Sequence, residues 1–216
     1  MKVLLTGFEP FGGESSNPSA EAVLQLCQQS APAGVSWQAL ILPVEFQRSG
    51  ELLHDALCQL QPDLVLCVGQ AGGRTALCLE QVAINLLEAR IPDNSGWQPS
   101  GEAVVSSGPA AYFSNLPLKA IRAQLQQSGI PAQISYTAGT YVCNALMYQL
   151  MHSLAGRPDQ PCRGGFIHIP YAPAQAASKA DAASMSTATV VEGLRQLVLC
   201  CQQHQTDIQA TAGALD

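Results

Sequence analysis

Apolar and polar residues follow two alternating periods along the chain. One set of segments shows the alternation or the continuous apolar run that is typical of β-strands: residues 2–6, 35–44, 63–69, 132–136 and 164–170. A second set repeats its apolar residues at helical spacing: residues 17–29, 46–60, 116–129, 144–154 and 185–205. Strands and helices alternate without a repeat or a linker. The pattern therefore predicts one α/β domain with helices on both faces of a sheet.

Four segments add detail to this prediction. The uninterrupted apolar run at 63–69 indicates a strand that is covered on both faces. Residues 76–89 fit either a helix or a strand, and we favour a strand. Residues 90–103 are rich in Pro, Gly, Asn and Ser and predict a loop. Residues 206–216 lack apolar periodicity, so we expect a disordered C-terminal tail beyond a domain of residues 1–205.

Composition narrows the class of protein. Of the 216 residues, 47% are hydrophobic and 12% are charged, which indicates a folded globular chain. The net charge of -6 and the absence of a basic run argue against a nucleic acid or a membrane as partner. The apolar start, "MKVLLTGFEPFGG", is too short for a signal peptide, and no later segment has the length of a membrane helix. We therefore expect a soluble, cytoplasmic protein.

Cysteine spacing and glycine motifs argue against metals and nucleotides. The eight cysteines are scattered and form no compact disulfide framework, no C-x-x-C pair and no H-E-x-x-H motif. The glycine-rich stretches match neither of the two phosphate-binding patterns. We expect no metal and no cofactor.

Cys143 is the first candidate for chemistry, because it directly precedes the predicted helix 144–154. A helix N-terminus favours the thiolate, which is the nucleophilic form of cysteine. Ligands of α/β proteins gather where strands end, and we expect Cys143 to reach such an edge behind the strand 132–136. The alternative is a buried, inert cysteine in the core.

Three further residues could complete a catalytic site. His168 is the only histidine embedded in a predicted strand and could serve as the base, although a hydrogen-bonded core histidine would look the same. Glu80 stands in an otherwise apolar stretch and should need a partner there, unless it faces the surface. Arg90 opens the predicted loop and could be a catalytic cation or an ordinary surface charge.

Six motifs in order resemble the pyroglutamyl peptidase I family of cytosolic cysteine peptidases. They are "TGFEPFGG" with "NPS", "GQAGGR", "EQVAIN", "ARIPDN", "AGTYVCNALMY" and "FIHIPY", spread from Lys2 to about Cys200. The resemblance implies a three-layer αβα sandwich with a twisted mixed, mostly parallel sheet, and a homotetramer. It also implies that Cys143 is the nucleophile, His168 the acid–base and Glu80 the group that orients the histidine.

The same resemblance assigns the remaining site residues. Arg90 and the backbone N–H of Cys143 would hold the oxyanion. The residues implied to line the pyroglutamyl pocket are Phe8, Phe11, Asn17, Gln70, Tyr141 and Val142. Tyr141 stands where the family usually has phenylalanine.

The implied function is removal of N-terminal pyroglutamate from peptides through a thioester with the enzyme. Two alternatives stay open at this point. One is an amidase for another small amide or lactam that uses the same triad, and the other is a non-catalytic binding protein of the same fold.

Overall fold

A six-stranded sheet forms the centre of the computed structural model, which describes residues 1–157, 159, 161–211 and 213. The strands are β1 Lys2–Phe8, β2 Ser36–Leu42, β3 Leu64–Gln70, β4 Leu77–Glu80, β5 Val82–Ile84, β6 Leu87–Glu88, β7 Ser100–Glu102, β8 Ala111–Phe113, β9 Ala132–Ser135 and β10 Arg163–Ile169. The helices are α1 Pro18–Gln28, α2 Arg48–Leu60, α3 Leu118–Gln127, α4 Val142–Ala155, α5 Pro173–Ala176 and α6 Thr187–Gln203.

The central sheet is mixed and mostly parallel. Its strand order is β2-β1-β3-β10-β4-β9, in which the first four strands run in one direction. β4 is antiparallel to β10, and β9 is parallel to β4, so these last two strands run the opposite way. This topology confirms the predicted sheet.

Helices cover both faces of the sheet, as predicted. One apolar cluster joins the sheet to α1, α3 and α6, and the other joins it to α2 and α4. Successive residues of β3 alternate between the clusters: Leu64 and Leu66 belong to the first, and Val65 and Cys67 to the second. The continuous apolar run at 63–69 therefore arises because both faces of this strand are buried.

The segment 76–89 forms the strands β4, β5 and β6, which confirms the preference for strand over helix. Asn144 of α4 holds β5 through three hydrogen bonds. Its Oδ1 accepts from the N–H of Ile84 at 2.9 Å, and its Nδ2 donates to the carbonyls of Ile84 at 2.9 Å and Leu86 at 3.1 Å. A helical side chain thus replaces a neighbouring strand as hydrogen-bonding partner.

The predicted loop at 90–103 is wrong at its end, where β7 pairs with β6. β8, which pairs with β5, was not predicted. Both strands are three residues long and pair with one partner strand each. Strands this short carry too few residues to show a period in the sequence.

The described part of the C-terminal segment contacts α3. Asp207 accepts hydrogen bonds from the N–H groups of Lys119 at 3.1 Å and Ala120 at 3.0 Å, at the start of the helix. Arg122 of the same helix donates to the carbonyl of Thr211 at 2.9 Å. Residues 212 and 214–216 lie outside the described residues. The domain boundary at 205 and the disordered tail stay predictions.

Within the described ranges, no helix has both the length and the apolar character that a membrane crossing requires.

Candidate active site

Cys143 is the second residue of α4, whose N-cap is Tyr141. The helix therefore begins earlier than the predicted 144–154, and the thiol belongs to its first turn. N–H groups in this turn have no partner within the helix and carry the positive end of its dipole. Such a position offers N–H donors to an anion beside it.

The strand before Cys143 does not bring it to the expected edge of the sheet. β9 runs opposite to β1, β3 and β10, so the end of β9 lies away from the carboxyl ends of those strands. The connection at 136–141 carries the chain back to them. The thiol does reach the expected edge of the sheet. The connection brings it there and the end of β9 does not, so the predicted reason for its placement is wrong.

Gly69 of β3 makes room for the thiol. A Cβ atom built on Gly69 would lie 3.0 Å from Sγ of Cys143 and 2.7 Å from Cζ of Phe166. Real Cβ atoms essentially never come as close as 2.7 Å, so any larger residue would displace the Phe166 ring, and it would also crowd the thiol. A glycine in the "GQAGGR" motif thus has a direct steric role in the site.

His168 and Glu80 form a buried hydrogen-bonded pair. Nδ1 of His168 lies 2.8 Å from Oε1 of Glu80, and the two residues are 4% and 0% exposed. The strand register explains the pairing. His168 of β10 stands opposite Cys78 of β4, and Glu80 lies two residues further along β4 on the same face. The carboxylate selects the tautomer that has its proton on Nδ1 and leaves Nε2 for chemistry.

The charges around His168 raise its pKa. Burial alone would lower the pKa of the imidazole, because it disfavours the charged form. Cys143 and Glu80 outweigh that effect and raise the pKa from 6.5 to about 9. His168 is therefore a cation at neutral pH, paired with the carboxylate on one side and facing the cysteine on the other.

Arg74 adds a cation that the sequence reasoning missed. Its Nη2 lies 3.8 Å from Oε1 of Glu80 and donates to the Ser135 hydroxyl at 3.3 Å and to the Thr137 carbonyl at 3.2 Å. The side chain is 30% exposed. Its signal in the sequence was its place at the end of "GQAGGR" in a chain with only ten Lys and Arg residues.

All of the predicted site residues except Glu80 border one cavity of about 440 Å³. The predicted residues that line it are Phe8, Phe11, Asn17, Gln70, Arg90, Tyr141, Val142, Cys143 and His168, and Arg74 lines it as well. Glu80 lies behind His168 and outside this lining. The structure therefore brings every predicted residue to one place, with Glu80 reaching the cavity only through the histidine.

Two of the predicted pocket residues have their polar atoms engaged by the protein. Asn17 caps α1, because its Oδ1 accepts from the N–H of Ser19 at 3.0 Å and its Nδ2 donates to the Glu9 carbonyl at 2.9 Å. Gln70 accepts a hydrogen bond from Gln175 at 3.0 Å through Oε1. Asn17 therefore shapes the wall of the cavity, while Gln70 keeps its NH₂ group for a ligand.

No set of three or more His, Cys, Asp or Glu side chains in the described residues is arranged to hold a metal ion. All eight cysteines, each of which the structure describes, are free thiols.

The charge state of His168 can be measured directly. We expect an NMR titration of its imidazole to give a midpoint near pH 9, with the ring losing its proton as the pH rises. In Glu80→Gln the negative charge is gone, so the midpoint should move down towards 6.5. His54, on α2 away from the cavity, serves as internal reference. A wild-type midpoint at or below 6.5 would contradict the described electrostatics.

Several known proteins are similar to this chain in both sequence and structure. The family model described as pyroglutamyl peptidase matches residues 1–204. A pyrrolidone-carboxylate peptidase of Bacillus licheniformis is 49% identical over 214 residues, covering 99% of this chain and 98% of that protein. A pyrrolidone-carboxylate peptidase of Vibrio vulnificus is 50% identical over 214 residues, covering 99% of both.

Solved structures of proteins with the same names are similar to this chain as well. Pyroglutamyl peptidase I from Bacillus amyloliquefaciens matches with a TM-score of 0.93 at 48% identity, covering 97% of this chain and 99% of that one. A mutant pyrrolidone carboxyl peptidase from Pyrococcus furiosus matches with a TM-score of 0.90 at 40% identity, covering 94% and 99%. With a family match over nearly its whole length and relatives of this similarity, the chain belongs to the pyroglutamyl peptidase family.

Proposed function

We propose that this member of the family hydrolyses the amide bond after an N-terminal pyroglutamate, with Cys143, His168 and Glu80 as its catalytic triad. The observation that carries the proposal is the buried His168–Glu80 hydrogen bond of 2.8 Å, made behind a cavity that both His168 and Cys143 line. A nucleophile, a base and a group that orients the base are the three parts that covalent acyl transfer requires. The alternatives, another amidase or a binding protein, gain no support from the relatives.

The first half of the reaction forms a thioester. The Cys143 thiolate attacks the carbonyl carbon of pyroglutamate, and the C=O electron pair moves to oxygen. When the tetrahedral intermediate collapses, the C–N bond breaks and the His168 imidazolium gives its proton to the departing amine. The raised pKa of His168 suits this step, because the proton is in place at neutral pH.

The second half releases pyroglutamate. His168, now neutral, takes a proton from water while the water oxygen attacks the thioester carbon. The C–S bond then breaks, and the thiolate and the imidazolium are restored. Glu80 holds its hydrogen bond to Nδ1 throughout, so the ring keeps one orientation in both steps.

The oxyanion of each intermediate requires donors beside Cys143. We assign the backbone N–H of Cys143, in the first turn of α4, and the guanidinium of Arg90, which lines the same cavity. Removal of one such donor typically costs about 3 kcal/mol of transition-state stabilisation. Arg90 is exposed at the cavity, so a substrate that enters can reach its guanidinium.

The cavity suits a neutral ring. Phe8, Phe11, Tyr141 and Val142 give it apolar walls, and the NH₂ group of Gln70 can bind a lactam oxygen. Pyroglutamate has no charged α-amine and needs no carboxylate partner, and Glu88, the carboxylate in the lining, accepts its hydrogen bonds from the Ser100 hydroxyl. These features support a lactam as the group that enters first.

The nucleophile assignment can be tested with a chromogenic pyroglutamyl amide. Cys143→Ala should lower turnover by about 10⁴-fold or more, because the covalent route is lost. The fold should persist, since this half-buried side chain fills little core volume. Cys58→Ala, which removes an exposed thiol from α2, is the matched control and should keep wild-type activity. Substantial hydrolysis by Cys143→Ala would mean that another group attacks the substrate.

The lactam assignment predicts strong discrimination. Proline has the same ring size but lacks the lactam carbonyl and carries a charged amine. A buried site that hydrogen-bonds a substrate group can reject an analogue without it by about 10⁴-fold. We therefore expect kcat/KM for a pyroglutamyl derivative to exceed that of the prolyl derivative of the same leaving group by a comparable factor. A ratio within about tenfold would favour a less selective amidase.

We also propose that the chain forms a cytoplasmic homotetramer. Two observations support this: eight free thiols suit a reducing compartment, and several large apolar side chains are exposed. The most exposed of them is Phe113, at 66%. Sedimentation velocity should give four times the chain mass of 22.7 kDa. A monomer at micromolar concentration would contradict the assembly.

A further inference from the structure

The rim of the cavity is held at two points by the start of the nucleophile helix. Glu88 is the first point, because its N–H donates to the Thr140 carbonyl at 3.1 Å and its carbonyl accepts from the Thr140 hydroxyl at 2.8 Å. Pro92 is the second, because its carbonyl accepts a hydrogen bond of 2.9 Å from the Tyr141 hydroxyl. Two consecutive residues of one segment thus hold both ends of the stretch 89–91.

Arg90 and Ile91 lie between these two points. Both line the cavity, and both are exposed to solvent. The neighbouring Ala89 is anchored separately, because its N–H donates to the Pro99 carbonyl at 2.9 Å. Among the described residues, no hydrogen bond holds the side chain of Arg90. Its position therefore depends on the backbone that carries it.

After Pro92 the chain is fixed by a buried carboxylate. Oδ2 of Asp93 accepts from the N–H of Phe46 at 3.0 Å, and Oδ1 accepts from the N–H of Trp97 at 3.0 Å. The Phe46 ring contacts Tyr141 edge-on, with 5.2 Å between ring centroids. The Tyr141 ring thus packs against a residue whose backbone Asp93 holds, and its hydroxyl joins this region to the stretch with Arg90.

The Tyr141 hydroxyl keeps its proton under assay conditions. Burial raises the pKa of this phenol to about 12, and the charges of Asp93 and Cys143 act in the same direction. The hydroxyl is therefore a hydrogen-bond donor to Pro92 at every pH at which the enzyme would be measured.

We propose that Tyr141 is a positioning residue, whose hydroxyl ties the Arg90 segment to the helix start that carries Cys143. Tyr141 precedes Cys143 by two residues, so the bond to Pro92 links the backbone of the Arg90 segment to the helix start that carries the thiol. This inference rests on the proposed role of Arg90 at the oxyanion.

The test is Tyr141→Phe, which keeps the ring and removes the bond. We expect kcat for a pyroglutamyl amide to fall about fivefold with KM nearly unchanged, because Arg90 acts mainly in the transition state. Tyr112→Phe is the matched control. It removes a hydroxyl that bonds Nδ1 of His152 at 2.8 Å, away from the cavity, and should leave kcat unchanged. An unchanged kcat in Tyr141→Phe would overturn the proposal.

A double-mutant cycle asks whether Tyr141 acts through Arg90. In an Arg90→Ala background, Tyr141→Phe should lower kcat by less than about twofold, because there is no guanidinium left to misplace. The same fivefold loss in both backgrounds would show that the hydroxyl acts elsewhere and would overturn the proposal.

Limited trypsin digestion supplies a measurement that does not depend on activity. The bond after the exposed Arg90 is a trypsin site, and release of the segment should raise its cleavage rate about fivefold in Tyr141→Phe but not in Tyr112→Phe. Equal cleavage rates would overturn the proposal. If the wild type cleaved no pyroglutamyl amide, the proposed function would fail, and the digestion would still decide whether the bond holds the segment.

Discussion

The buried hydrogen bond between His168 and Glu80 is the constraint on which the site depends. A carboxylate and an imidazolium that are almost fully buried would each carry a large desolvation cost alone. Paired at 2.8 Å, they compensate each other and leave one ring nitrogen for proton transfer. The pairing requires β4 to run beside β10 in its antiparallel register, so the reversal of strand direction in the sheet is part of the chemistry.

Cys143, the proposed nucleophile, is positioned by other elements of the fold. The connection at 136–141 leads back from the C-terminal end of β9, and α4 then starts with Cys143 in its first turn. Asn144, the next residue, hydrogen-bonds the backbone of β5 and so holds the start of α4 against the two-stranded sheet of β5 and β8. Gly69 leaves the space that the thiol occupies. Position, orientation and clearance of the sulfur thus come from three separate elements.

The two arginines beside the cavity, Arg74 and Arg90, have different partners. Arg74 lies 3.8 Å from the carboxylate of the triad and is held by Ser135 and Thr137. It places a positive charge beside the carboxylate that accepts the hydrogen bond of the histidine. Arg90 has no such partner among the described residues and stands at the open rim, where a substrate oxygen can take its hydrogen bonds.

The sequence by itself determined the class of fold and the chemical type of the site. Buried strands and amphipathic helices follow from local periods, and six ordered motifs identified the family and predicted its triad. Only the tertiary structure decided the direction of β9 and the pairing of β7 with β6 and of β8 with β5. The same holds for Arg74 beside Glu80 and for the bond from Tyr141 to Pro92. The physical reason is range: periodicity and caps are local, whereas strand direction and these contacts join residues that are distant in sequence.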